Sequence, residues 1–313
     1  MISISTKIVE NGIALYSKEV KELIKNAEDG IDKLWLNRKK FNLTKKQVEY
    51  LNKISGRVEE FVKAKPSTLI KLENTFMRLP TEVKGVKIKF KDRVLNALGY
   101  SDLRSNFFPN YFQTIGIKSC VYCNSQLAIC VEKYNSKMEA KFQLDHYIPK
   151  SKFPFLSISL YNLYPVCASC NLNKKEERVA FKLYKKTPTN ISKFSFSLKN
   201  GIVAKYLLPI KLQQIEIIYS EPKVKKGEKT FEKTFSIQGI YNTQKDIAEE
   251  LILKAKVYKK SYKKTLIKSF PKIFTDIHLT NRLIIGNYSR EGEIHKRPMA
   301  KFTQDIAKQL KLI

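Results

Sequence analysis

Four of the five cysteines fall in two pairs, Cys120-x-x-Cys123 and Cys167-x-x-Cys170, with 43 residues between them. Each pair puts two thiolates on one tight knuckle, and two knuckles supply the four sulfur ligands of a tetrahedral structural Zn²⁺ site. Buried or redox-active thiols are the competing reading, and two pairs in one short segment weigh against it. Cys130 has no such companion and lies on an apolar run, which assigns it to burial. Between the knuckles stands His146, whose ordinary pKa near 6.5 lets it take a proton from water at neutral pH. Asp145 precedes it, so on a strand the two side chains point to opposite sides. His278 and His295 lack such company: the first sits in an apolar pattern and reads as structural, the second in a basic loop and reads as exposed without a role, with a phosphate contact as the alternative.

The residues around His146 carry a longer pattern. It runs Asp145-His146, then Pro149 to Pro154 with Lys150 and Lys152, then Asn162-Leu-Tyr-Pro-Val-Cys167, then Cys170-Asn171-Leu-Asn-Lys174. Over about 55 of the 313 residues this closely resembles the HNH endonucleases. The resemblance implies a ββα-metal core, with a strand histidine beside a helix-borne metal ligand. His146 would be the general base and Asp145 a ligand of a catalytic divalent ion. Asn162 matches the middle asparagine that fixes the loop and orients the histidine. Asn171 falls where many members have a second histidine ligand, which makes this an H-N-N variant. Its carboxamide oxygen is a hard donor suited to Mg²⁺ or Mn²⁺.

Phosphodiester hydrolysis asks for these parts: an activated water, a cation against the growing charge, and a held base. Lys174 follows Asn171 by three residues, so both can share a helix face, with Lys174 placed to touch the scissile phosphate. Lys150 and Lys152 are candidate phosphate-backbone contacts, and Tyr147, Tyr161 and Tyr164 read as packing residues. The same block is similar to HNH proteins of bacterial anti-phage defence, including the nuclease partner of an ATPase in Septu-type systems. That likeness implies an antiviral effector with a regulatory partner such as an ATPase; separately, the apolar stripes of the helical flanks suit partner binding, a homo-oligomer or a monomer's own core. The alternative is a zinc-stabilised nucleic-acid-binding or assembly module with a dormant core.

The surrounding chain must position this block. It holds 59 Lys plus Arg against 29 Asp plus Glu, a formal charge of +30. Self-repulsion on that scale points to a polyanionic partner, DNA before RNA, and with a nuclease motif present it disfavours a membrane surface. The excess is +10 before Cys120, +4 from there to Lys175, and +16 beyond. Only 9 of the basic residues are Arg, so base reading, and with it sequence specificity, is expected to be weak. With no apolar run of about 18 residues and no leader pattern, the expected location is cytoplasmic.

The fold class read from the pattern is α+β, with a mainly helical region over 1–110, the zinc-clamped core over 111–185, and a basic α+β region over 186–313. Breaks are expected at Lys65-Pro66 and Leu79-Pro80. Short strands are expected near 126–131 and 141–144 about a turn at Asn135 and Ser136, with a helix from Ala168. Further strands are expected near 203–208 and 213–219. One long helix is expected from Thr243, as N-cap, to Phe270 before Pro271, then a shorter helix and a closing helix from about Pro298.

Overall fold

The computed structural model describes residues 1–82, 85, 87–134, 136–189, 191–199, 215–224 and 229–313. The expected strand at 203–208 and the start of that at 213–219 lie outside them. Among the described residues, eight helices precede Cys120: α1 (Thr6–Leu15), α2 (Ser17–Leu36), α3 (Lys45–Ile54), α4 (Val58–Val62), α5 (Pro66–Thr75), α6 (Phe90–Ala97), α7 (Tyr100–Asn106) and α8 (Phe108–Ile115). Local chemistry sets several ends. Thr44 and Gln47 form a reciprocal capping box at α3. Pro66, read as a break, takes the first position of α5, where its missing N–H has no partner to lose.

The centre of the chain is built from small antiparallel pairs. Strands β2 (Cys130–Glu132) and β3 (Met138–Ala140) form a hairpin, and β4 (Gln143–His146) pairs with β5 (Leu163–Val166). Helix α9 (Ala168–Lys174) follows β5 directly and packs back on β4. A parallel pair joins β1 (Ile4–Ser5) to β6 (Tyr184–Lys185), and β7 (Ser195–Leu198) pairs with β8 (Ile217–Ser220). The fold is α+β, as expected.

The C-terminal helices are α10 (Phe231–Phe235), α11 (Ile237–Asn242), α12 (Lys245–Val257), α13 (Lys260–Ser269), α14 (Ile277–Ile285) and α15 (Ala300–Gln309). The single long helix expected over 243–270 is thus two, and Thr243 caps neither. No Gly or Pro marks the break. It follows from packing: α12 buries Ala248, Leu251 and Ile252, whereas α13 buries nothing and turns away at Tyr258 and Lys259. His278 on α14 is exposed beside Ile277 and Leu279, against the structural reading.

One apolar core runs through all of these elements except α13. The loop from β4 to β5 is fastened to the helical region by Phe155, whose ring centroid lies 4.7 Å from Phe61 and 4.1 Å from Phe76. The Leu160 amide donates to the Val62 carbonyl at 3.0 Å, closing that seam. Helices α2 and α6 approach so closely at Gly30 that an added Cβ would lie 1.9 Å from the Ala97 carbonyl oxygen. Two residues on, Gly99 takes φ +67°, the left-handed turn that starts α7 and aims Tyr100 at the core. Gly30→Ala gains up to about 1 kcal/mol of helix propensity but must push apart two backbones, so a net loss of about 2 kcal/mol is expected by denaturant titration.

Candidate metal centre and the cluster around His146

The knuckles converge. The four Sγ atoms of Cys120, Cys123, Cys167 and Cys170 lie within 4.8 Å of one another, with Cys123 and Cys167 at 4.0 Å. Tetrahedral Zn–S bonds of 2.3 Å place sulfurs about 3.8 Å apart, whereas a disulfide needs about 2 Å, so the set fits an ion and not a bridge. Cys120, Cys123 and Cys170 are buried and Cys167 is half-buried. Hydrogen bonds from neighbouring thiols, Cys120 first, hold the Cys123 and Cys167 thiols down, while burial pushes Cys120 up and hydrogen bonds from the other three, Cys120 first, push Cys170 up. The Ser125 hydroxyl donates to Cys123 Sγ at 3.2 Å, a further orienting contact. Cys130 stands apart and only half-buried, its thiol donating to the Pro109 carbonyl at 2.9 Å, and burial raises it to about 11.

The residue after the first knuckle seals it. Asn124 is fully buried at φ +55°, a conformation asparagine tolerates better than most residues. Its Nδ2 donates to Ser119 Oγ at 2.8 Å and to the Ile294 carbonyl at 2.9 Å, and its Oδ1 accepts from the Lys301 amide at 2.9 Å. His295 belongs to the same seal. It is buried, not exposed in a basic loop; its Nε2 donates to the Ile2 carbonyl at 2.7 Å and its own carbonyl accepts from Lys118 and Ser119. Burial, aided by the N-terminal ammonium, lowers its pKa to about 3.

Strand β4 sorts its side chains by alternation. Gln143 and Asp145 face α9; Leu144 and His146 face away. On the first side the register of helix against strand is set residue by residue. Asn171 Nδ2 donates to Gln143 Oε1 at 2.6 Å, and one turn later Lys174 Nζ donates at 3.1 Å to both Asp145 Oδ1 and the His146 carbonyl. The Tyr122 hydroxyl donates to Asp145 Oδ2 at 2.6 Å. Asp145 and Lys174 are both buried, Lys174 wholly. Burial pushes the Asp145 carboxyl up, while Lys174 and the Tyr122 hydroxyl hold it back. Asp145 and Asn171 therefore lie on facing surfaces, each engaged with a different partner.

On the other side His146 Nε2 lies 3.0 Å from the Ser157 carbonyl oxygen. A carbonyl only accepts, so Nε2 carries the proton and Nδ1 keeps the lone pair. The Tyr100 ring covers the imidazole at 5.4 Å between centroids, and Lys150 Nζ stands 4.1 Å over that ring. Burial, then Lys150, lowers the His146 pKa to about 3, opposed by the Ser157 contact. Lys150 is itself lowered to about 8, by burial first and then by Arg104 and Lys91. Asn162 fixes the intervening loop: Oδ1 accepts from the Ile148 amide at 2.7 Å, and Nδ2 donates to the Ile148 and Leu156 carbonyls. Tyr147, Tyr161 and Tyr164 are all buried, and Lys152 is exposed.

These features define an α+β protein with a four-cysteine centre able to hold zinc, and no described helix is long and apolar enough to cross a membrane. No family model, curated protein or solved structure matches the chain.

Two outcomes follow from this geometry. Metal analysis of the purified chain is expected to find one Zn²⁺ per molecule, reduced to near none in Cys167→Ser/Cys170→Ser, with a melting temperature at least 10 °C lower. The second concerns pH. A histidine at about 3 when folded and near 6.5 when unfolded binds its proton more readily in the unfolded chain, so stability falls as pH drops from about 6.5 towards 3. At pH 5 His295 costs about 2 kcal/mol on this account, and His295→Gln, which keeps a donor for Ile2, is expected to recover it in melts at pH 5 but not at pH 8.

Proposed function

We propose that the chain is an HNH-type endonuclease that hydrolyses DNA phosphodiesters with little sequence preference. The observation that carries this reading is the held imidazole of His146, with Nε2 committed to the Ser157 carbonyl and Nδ1 basic, on a strand–loop–strand–helix unit closed by the cysteine centre. A fixed tautomer with one free lone pair is what a general base requires. Asn162 supports it by locking the loop that supplies Ser157.

The local charges suit an anionic substrate. Lys150 and Arg104 depress the imidazole in the free protein. A phosphodiester drawn to them adds negative charge beside His146, which raises its basicity when substrate is present. Tyr100 and Lys150 must move aside for water to reach Nδ1, since His146 is only 5% exposed.

Asp145 and Asn171 are of the right donor type for Mg²⁺ or Mn²⁺ and stand on facing elements. Their fit is incomplete in this conformation, because the Lys174 ammonium already neutralises Asp145. A bound divalent ion would stabilise charge on the leaving oxygen, and Lys174, once released, would have a phosphate to pair with. An antiviral role with an ATPase or other partner rests on motif resemblance alone.

A second reading is favoured by the closure just described: a base covered by Tyr100 and a carboxylate paired with Lys174 suit a zinc-stabilised binding module. The two are separated by cleavage of plasmid DNA in Mg²⁺, Mn²⁺ and Ni²⁺. The nuclease reading expects nicking that His146→Ala lowers at least 100-fold, with zinc content and circular dichroism unchanged. Undiminished cleavage by His146→Ala overturns the mechanism, and silence of the parent in every metal with salt-sensitive binding retained supports the module.

A further inference from the structure

A cleft of about 580 Å³ opens on the face of β4 that carries His146. Phe142 and Leu144 form its floor, α7 one wall and the β2–β3 hairpin the other. Leu144 precedes His146 by two residues on the same face, and Tyr100 both lines the cleft and covers the imidazole. The cleft therefore ends at the ring that shields the base. Its walls are cationic: Arg104 projects from α7, and Lys133 and Lys137 from the hairpin. The one lining carboxylate, Glu139, is engaged by Lys133 at 3.5 Å and Lys141 at 2.6 Å.

The hairpin tip is the unexpected part. Tyr134 stands between Lys133 and Lys137 with its side chain entirely in solvent, at 108% relative exposure, and it makes no ring contact among the described residues. Turns favour small polar residues. A bare aromatic ring there does nothing for the fold, and it offers a flat π surface flanked by ammonium groups. Groove cations that follow a phosphate backbone, joined to an aromatic platform for bases, are the two elements of single-strand recognition. The bases of a stacked duplex would be hidden from such a ring, so the ring favours an unpaired strand.

We propose that the β2–β3 hairpin and α7 form the entry groove for a single DNA strand, with Tyr134 stacking on an unpaired base and Arg104, Lys133 and Lys137 holding the phosphates that lead to His146. The nuclease reading is needed for where the strand leads, and binding itself can be tested without it. The full chain carrying His146→Ala is titrated by fluorescence anisotropy with oligothymidine, with an abasic strand of equal length, and with oligouridine.

The intact thymidine strand is expected to bind about tenfold more tightly than the abasic one, and Tyr134→Ala is expected to remove that preference while Tyr134→Phe keeps it. Lys133→Gln/Lys137→Gln is expected to weaken both deoxy strands alike and to reduce the salt slope by about 1.4. Because Tyr134 packs on nothing, its variants should melt with the parent. A parent without base preference, or a Tyr134→Ala protein that retains it, overturns the groove; tighter binding of oligouridine overturns its assignment to DNA. If the native chain cleaves plasmid DNA while base-dependent binding is absent, the groove fails and the nuclease reading stands. If it cleaves nothing while Tyr134-dependent binding persists, the nuclease reading fails and the groove stands.

Discussion

Everything around His146 depends on the meeting of two cysteine knuckles 43 residues apart. Closing a flexible loop of that length costs about 3 kcal/mol in chain entropy beyond a constant, and small zinc sites release about 10 kcal/mol or more on binding. The comparison makes zinc the larger quantity, able to hold the segment closed. Within the closed segment lie β4, its loop, β5 and the start of α9. The first knuckle also bonds outward, through the Val121 amide to the Pro165 carbonyl and through the Cys123 carbonyl to the Tyr241 hydroxyl at 2.8 Å. The sulfur centre thereby fixes the strand pair to the C-terminal helices.

The buried pair of Asp145 and Lys174 is the second constraint. Taking two charges out of water costs several kcal/mol each, and their attraction repays this only with good geometry and extra hydrogen bonds. Here the carboxylate has Lys174 and Tyr122, and the ammonium has Asp145 and the His146 carbonyl. Such an arrangement adds little net stability over an apolar one, but it dictates position. Lys174 fits only if α9 is in register with β4, and that register places Asn171 opposite Gln143. On the other face of the same strand the charges that bear on His146 are those of Lys150 and Arg104, and both hold its proton affinity down.

Much of this was legible in the sequence because it is local. The knuckle spacing, the alternation across Asp145 and His146, the i,i+3 relation of Asn171 and Lys174, and the turn at Ser136 all lie within a few residues. What escaped is nonlocal. The Asn124 side chain is bonded to residues 170 or more positions away, and nothing in the tripeptide around it signals that. His295 looks like a loop histidine until Ile2 is placed beside it. The helix break at Tyr258 has no sequence marker, since it records where the core ends. The exposure of Tyr134 is set by the hairpin that carries it, and the pairing of Lys174 with Asp145 by the depth to which both are sunk.

The seal on the first knuckle has a consequence for how the chain is made. Asn124 emerges from the ribosome about 170 residues before Ile294, an interval of roughly 10 to 30 s at ordinary elongation rates. Throughout that time the knuckle lacks the carbonyl and amide groups that satisfy its buried carboxamide, and His295 has not yet joined Ile2 to the rest. The cysteines can gather early, yet the unit around His146 reaches its final packing only when the segment near Met299 arrives. A nascent chain of this design completes the seal on its cysteine centre late in its own synthesis.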